Sequence, residues 1–260
     1  MCGINGILIS PGRTTSQLKR IRELFTANLL ANEQRGREAT GIALLNNNSG
    51  LRLNKAPITA SEFIHSPGYL RVLNAVSENT TVLLGHTREP TKGSPQKNVN
   101  NHPLVRGNII GVHNGTISND DLIFARKTIG GHRIGSVDSE ALIALLDSIS
   151  ADMVLPSYGG KLYLLSKTVI GSYVVLYVNP ALPYAVFLLK YKNPVSVYWN
   201  QELGALFFSS RYLFLRKTFG RSVITDGLPG RTGFMFDARM LNIYKEHPIR
   251  QFPLFSNTEH

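Results

Sequence analysis

Apolar positions set the outline of the chain. The opening run Cys2-Gly3-Ile4-Asn5-Gly6-Ile7-Leu8-Ile9 is apolar and rich in β-branched residues and glycines, which predicts a buried first strand beginning at residue 2. Spacing of three and four then takes over at Leu18, Ile21, Phe25 and Leu29, the stripe of an amphipathic helix, and Thr14 with Gln17 offers a capping box at its start. Gly41–Leu45 predicts a second strand, ended by the turn-forming run Asn46-Asn47-Asn48-Ser49-Gly50. Thr81–Leu84 reads as a strand running into Gly85-His86-Thr87-Arg88, and Ile109–His113 as another that stops at Asn114-Gly115. Helical spacing returns at Leu142, Leu145, Leu146 and Ile149, behind the start signals Ser136, Asp138 and Ser139.

From Val169 onward the pattern is mainly β: Val169–Val178, Tyr184–Lys190, Val195–Trp199 and Ala205–Ser209, then a short helix and two further strands near Val223 and Phe234. Strands gathered at both ends with helices between them predict an α+β layered domain rather than alternating βαβ units. With 260 residues, 43% of them hydrophobic, the chain can bury a sizeable core without a disulfide or metal staple. No run of eighteen apolar residues and no signal-type N-terminus is present, so the expectation is a cytoplasmic protein with no membrane partner. The tail from residue 246, frayed after Pro253, is expected to lie outside the domain.

Charge changes this picture little. The balance of 28 Lys+Arg against 17 Asp+Glu gives +11, which would attract polyanions. The basic residues are scattered, however, from Arg13, Lys19, Arg20 and Arg22 to Arg211, Arg216, Lys217 and Arg221, with no dense run or aromatic platform, so a nucleic-acid partner is not expected.

Chemistry enters with the single cysteine. Cys2 excludes an intrachain disulfide and any multi-cysteine metal site. Removal of Met1 would place its thiol beside an α-amine in one residue, and an amine titrating near about 7.7–8.0 can accept the proton of a thiol near about 8.5. Read alone, Cys2 fits a small buried hydrophobe at a strand start better than a nucleophile. Asn114-Gly115 at a strand end supplies a side-chain amide donor and an unhindered backbone N–H, the parts of an oxyanion hole, and also the parts of a hairpin turn. Arg88, beside the proline-stiffened Glu89-Pro90-Thr91, suits a bidentate grip on a carboxylate, with Thr91 adding a hydroxyl. Asp138 could pair with an ammonium or serve only as a helix N-cap.

Five blocks in one order carry a resemblance: Cys2-Gly3-Ile4, Arg35 to Gly41, His86-Thr87-Arg88 to Thr91, His113-Asn114-Gly115, and Val137-Asp138-Ser139-Glu140. The chain resembles class II glutamine amidotransferases over about its first 240 residues, with the nearest likeness to the glutaminase domain of glucosamine-6-phosphate synthase. That resemblance implies a four-layer αββα sandwich of the N-terminal-nucleophile hydrolase type over residues 1–245. It implies Cys2 as nucleophile, Asn114 and Gly115 as oxyanion hole, Arg88 and Thr91 on the glutamine carboxylate, and Asp138 on its α-ammonium. Arg35, His86 and His113 would be supporting residues.

The expected activity is hydrolysis of glutamine to glutamate and ammonia through a Cys2 thioester, with no metal or organic cofactor. A different amide as substrate, or a non-catalytic basic binding module, are the alternatives. Two departures stand out. Glu89 and Lys92 occupy positions that are usually tryptophan and histidine in the synthase likeness, and no acceptor domain is expected within the 260 residues, so that either a separate partner protein or subunit takes the ammonia, or glutamine is simply hydrolysed, or another amide is the substrate.

Overall fold

The computed structural model describes residues 1–126, 132–220, 228–244 and 248–255. In chain order they form β1 (Gly3–Ile9), α1 (Thr15–Asn32), β2 (Ala39–Asn46), β3 (Leu51–Ala56), α2 (Ala60–Phe63), α3 (Pro67–Leu73), β4 (Thr80–Arg88), β5 (Leu104–Arg106) and β6 (Ile109–Ile117). These are followed by α4 (Asp120–Ala125), α5 (Ser139–Ser148), α6 (Tyr158–Thr168), β7 (Gly171–Val178), β8 (Ala185–Lys190), β9 (Ser196–Asn200) and β10 (Ala205–Ser209). The last elements are α7 (Tyr212–Phe219), β11 (Thr232–Asp237), α8 (Leu241–Tyr244) and β12 (Arg250–Pro253).

The strands make two six-stranded sheets, ordered β3-β2-β4-β1-β10-β9 and β12-β11-β8-β7-β6-β5. The strand pairings among the described residues are antiparallel, with Gly3 opposite Thr87 and Asn114 opposite Val174 fixing the register near the chemically loaded residues. Side chains alternate across β1: Ile4 and Leu8 enter the core between the sheets with Val112, Leu176 and Phe208, while Ile7 and Ile9 pack under α1 and α7. A third cluster joins α5 and α6 to the outer face of the second sheet through Leu142, Leu146, Leu162 and Phe187. The result is the αββα sandwich expected from the resemblance. Because both sheets are covered on both faces, their central strands read as nearly continuous apolar runs.

Helix α1 begins as the sequence predicts, with Thr14 and Gln17 making both bonds of the capping box. The organisation departs from the sequence reading in two places. Strands do not cluster at the chain's ends, since β4 to β6 from the middle are built into both sheets. The expected boundary at residue 245 falls too early: β12 pairs with β11 and buries Phe252 against Tyr158, so the second sheet is completed beyond it. The strand expected near Val223 lies outside the described residues.

Phe208 is fully buried between the sheets and meets Phe236 edge-on at 5.5 Å. Phe208→Ala is expected to destabilise the fold by about 3–5 kcal/mol, through lost burial and a cavity that the facing sheet cannot fill. Urea unfolding measures this, and a loss below about 1 kcal/mol would contradict the inter-sheet packing.

Candidate active site

Cys2 sits just before β1, at the end where β1 and β4 close on each other. Gly3 is required there because a β-carbon would lie 2.4 Å from Thr87 Oγ1 and 2.7 Å from the Asn32 carbonyl. The half-buried Cys2 thiol donates to the Glu89 carbonyl at 3.4 Å. Burial pushes the thiol pKa up, and the opposing positive charges of the chain terminus and Arg88 do not cancel that effect. A thiol in this state needs a nearby base before it can attack.

Arg35 follows α1 in a single 3-10 turn and is only 6% exposed. Its Nε donates to the Cys2 carbonyl at 2.7 Å, and its Nη2 reaches Asn114 Oδ1 at 3.5 Å. One guanidinium therefore links the thiol residue on the first sheet to the asparagine on the second. With Oδ1 turned to Arg35, the buried Asn114 Nδ2 has no partner among the described residues. The Asn114 carbonyl is held separately by Asn193 Nδ2 at 3.0 Å. Gly115 has φ +153°, and a β-carbon would come within 1.9 Å of the Ser172 carbonyl, so only glycine fits. Asn114-Gly115 is not a hairpin turn, because both residues lie inside the nine-residue strand β6.

Cys2, Arg88, Thr91, Gly115 and Asp138 line one narrow cleft. Asp138 does not cap α5 with its side chain; Oδ2 accepts from the Ile117 N–H at 2.7 Å. Its other oxygen makes no hydrogen bond among the described residues. Arg88, 2% exposed, donates from Nη1 to Asn101 Oδ1 and from Nη2 to the Lys92 and Gly93 carbonyls, each at 2.7 Å. It thus holds the 89–93 loop in place as well as facing the cleft.

His86 and His113 are buried behind the reacting residues. His86 Nε2 pairs with the His113 carbonyl at 2.9 Å, and His113 Nδ1 with Ser139 Oγ at 2.7 Å. Burial lowers the His86 pKa to about 3 and depresses that of His113, so both are neutral supports rather than proton carriers at pH 7. No group of three or more His, Cys, Asp or Glu side chains among the described residues is arranged to hold a metal ion. No described helix is long and apolar enough to cross a membrane.

No protein-family model matches the chain. Relatives do. A glutamine–fructose-6-phosphate aminotransferase of Aeropyrum pernix is 28% identical over 215 residues, covering 79% of this chain and 31% of that protein. One of Sulfolobus acidocaldarius is 33% identical over 201 residues, covering 76% and 31%. The chain therefore spans about a third of the length of these relatives. Among solved structures, glutamine phosphoribosylpyrophosphate amidotransferase from B. subtilis superposes with a TM-score of 0.71 at 16% identity, covering 98% of this chain and 50% of that one. In sequence the chain resembles glutamine–fructose-6-phosphate aminotransferases, and in fold the amidotransferase from B. subtilis, as the class II glutamine amidotransferase resemblance implies.

Within this amidotransferase chain, the two unusual loop residues have distinct placements. Glu89 offers its carbonyl to the Cys2 thiol while its side chain is exposed. Lys92 turns away to α4 and bridges Asp120 at 2.7 Å and Asp121 at 3.1 Å, two carboxylates that Arg133 also grips. Three neighbours were given no role from the sequence. His102 stacks on His86 with ring centroids 4.2 Å apart and lines the cleft, Asn193 holds the Asn114 carbonyl, and Arg211 lies beside Arg35. All three stand in or at the edge of loops, where no periodicity announces a partner.

Proposed function

We propose that the chain hydrolyses the side-chain amide of glutamine in the cytoplasm, with Cys2 as its N-terminal residue after Met1 is removed. The observation that carries this reading is the Arg35 bridge, which brings Cys2 and the unpartnered Asn114 amide from different sheets to a common point. Met1 is 66% exposed and so open to removal. The freed amine takes the thiol proton, the sulfur adds to the carboxamide carbon, and the oxyanion is held by Asn114 Nδ2 and the Gly115 N–H. The amine returns the proton to the leaving nitrogen, ammonia departs, and water activated by the same amine opens the γ-glutamyl thioester to give glutamate.

Arg88 and Thr91 take the glutamine carboxylate in this reading, and the free oxygen of Asp138 takes the α-ammonium. The described residues up to Phe255 act as one glutaminase unit, and ammonia passes to an acceptor domain or subunit whose identity is part of the proposal. The reaction as written needs neither metal nor organic cofactor.

Release of glutamate from glutamine tests the reading directly, and a processed, folded protein that releases none would sink it. In the same assay Arg88→Ala is expected to raise KM for glutamine and lower kcat/KM by about 10–100-fold, because a buried charge-assisted contact and the anchor of the 89–93 loop go together. Arg88→Lys is expected to remain impaired, since an ammonium cannot reproduce the planar fork that reaches Asn101, Lys92 and Gly93. An unchanged KM in Arg88→Ala would remove the carboxylate assignment.

A further inference from the structure

A second, open pocket is lined by Met1, Gln34, Arg35, Arg211 and Phe214, and removal of Met1 leaves both arginines on its wall. It brings two guanidiniums together with no carboxylate in its lining. Arg211 makes no ion pair or side-chain hydrogen bond among the described residues, and Arg35, although buried, leaves Nη1 without a partner there. Like charges in one pocket repel, and the Arg35 pKa is lowered by its burial and then by the charge of Arg211. Arg211 also stands at the N-cap of α7, an eight-residue helix with no acidic residue in its first turn and no side-chain cap. The partial positive charge of that helix end therefore adds to the field instead of being neutralised. Other arginines with restricted exposure, such as Arg106 and Arg133, are balanced by carboxylates: Arg106 by Glu140, Arg133 by Asp120 and Asp121.

We infer that this pocket is a binding site for a small oxyanion, a phosphate or carboxylate carried by the ammonia acceptor, gripped between Arg35 and Arg211. A planar guanidinium pair suits the geometry of such a group, and an anion there would relieve the repulsion that the protein leaves unanswered. The site's link to chemistry rests on the proposed glutaminase reading, because it runs through Arg35, whose other nitrogens touch the Cys2 carbonyl and Asn114.

The test is calorimetric titration of the purified full chain with inorganic phosphate, and with acetate as the carboxylate arm, at constant ionic strength set by chloride and without glutamine. Arg211→Ala is compared with Lys19→Ala, which removes the same unit of charge from the exposed face of α1. The expected result is saturable binding to wild type and Lys19→Ala, weakened about tenfold or more in Arg211→Ala and partly restored in Arg211→Lys. Equal binding to all four proteins would mean diffuse attraction to a chain of +11 and would overturn the site, as would no binding at all. Because the measurement uses no glutamine, specific binding in a protein that releases no glutamate would leave the pocket standing and the glutaminase reading defeated. Normal glutamate release without specific binding would do the reverse.

Discussion

A chain that keeps Met1 will release glutamate from glutamine no faster than Cys2→Ala, and both will fall at least about 10³–10⁴-fold below the processed wild type. The argument is electrostatic before it is kinetic. With Met1 in place the nitrogen of Cys2 is an amide and cannot take a proton, while burial raises the thiol pKa and the buried neighbouring histidines are held neutral. Histidines that resist protonation this strongly are poor bases near pH 7, and none is hydrogen-bonded to Sγ, whose partner is the Glu89 carbonyl. Removing the methionine supplies the missing base on the reacting residue itself. Intact-mass analysis identifies the two forms, and a glutamate-release assay on each separates them. Comparable turnover by the Met1-bearing form would defeat the terminal-amine mechanism while leaving the fold untouched.

Asn114→Ala is expected to lower kcat about 10²–10³-fold, equivalent to about 2.7–4 kcal/mol, with little change in KM. The amide of Asn114 is buried, its oxygen is turned to Arg35, its backbone carbonyl is held by Asn193, and its Nδ2 is unspent. A donor fixed in this way before the reaction needs little reorganisation when the carbonyl oxygen gains charge, so its contribution falls mainly on the transition state. Asn114→Asp separates this from a packing effect: nearly isosteric, it presents an acceptor or a second negative charge where a donor is required, and it is expected to be at least as slow as the alanine variant. Retention of more than about a third of kcat in Asn114→Ala, with the protein still folded, would assign the oxyanion elsewhere.

Much of this site could be read from the chain because its members mark changes of element. Cys2 precedes the first strand, Arg88 ends β4, and Asp138 precedes α5, so patterns of period two and near four brought attention to them. Asn114 and Gly115 were found for the same reason, although they lie within β6 rather than after it. Residues that work through loops gave no such signal. Asn193 reaches Asn114 from 79 residues away, and Arg211 meets Arg35 only because α7 packs on α1, relations set by sheet order.

Elements were missed for equally local reasons. Strand β3 is an edge strand in which only Leu51 and Leu53 alternate with polar residues before Lys55 breaks the pattern, too short a run to announce a strand. Helix α6 carries Gly159 and Gly160, each of which weakens a helical signal by about 1 kcal/mol relative to alanine. Strand β12 is four residues long and shows a single buried aromatic. The αββα layering itself was legible through the resemblance, whereas the threading of β4 to β6 into both sheets was not.

On the proposed assignment, splitting attacker and oxyanion donor between two leaves of a sandwich makes catalysis a gauge of how those leaves sit on one another. A slip of about 1 Å at such a distance can cost about a hundredfold in rate, far less motion than is needed to break any strand pairing. Warming or mild pressure will therefore silence this protein while its circular dichroism still reports an intact fold, and a partner that clamps the two leaves together will quicken it without touching either reacting group.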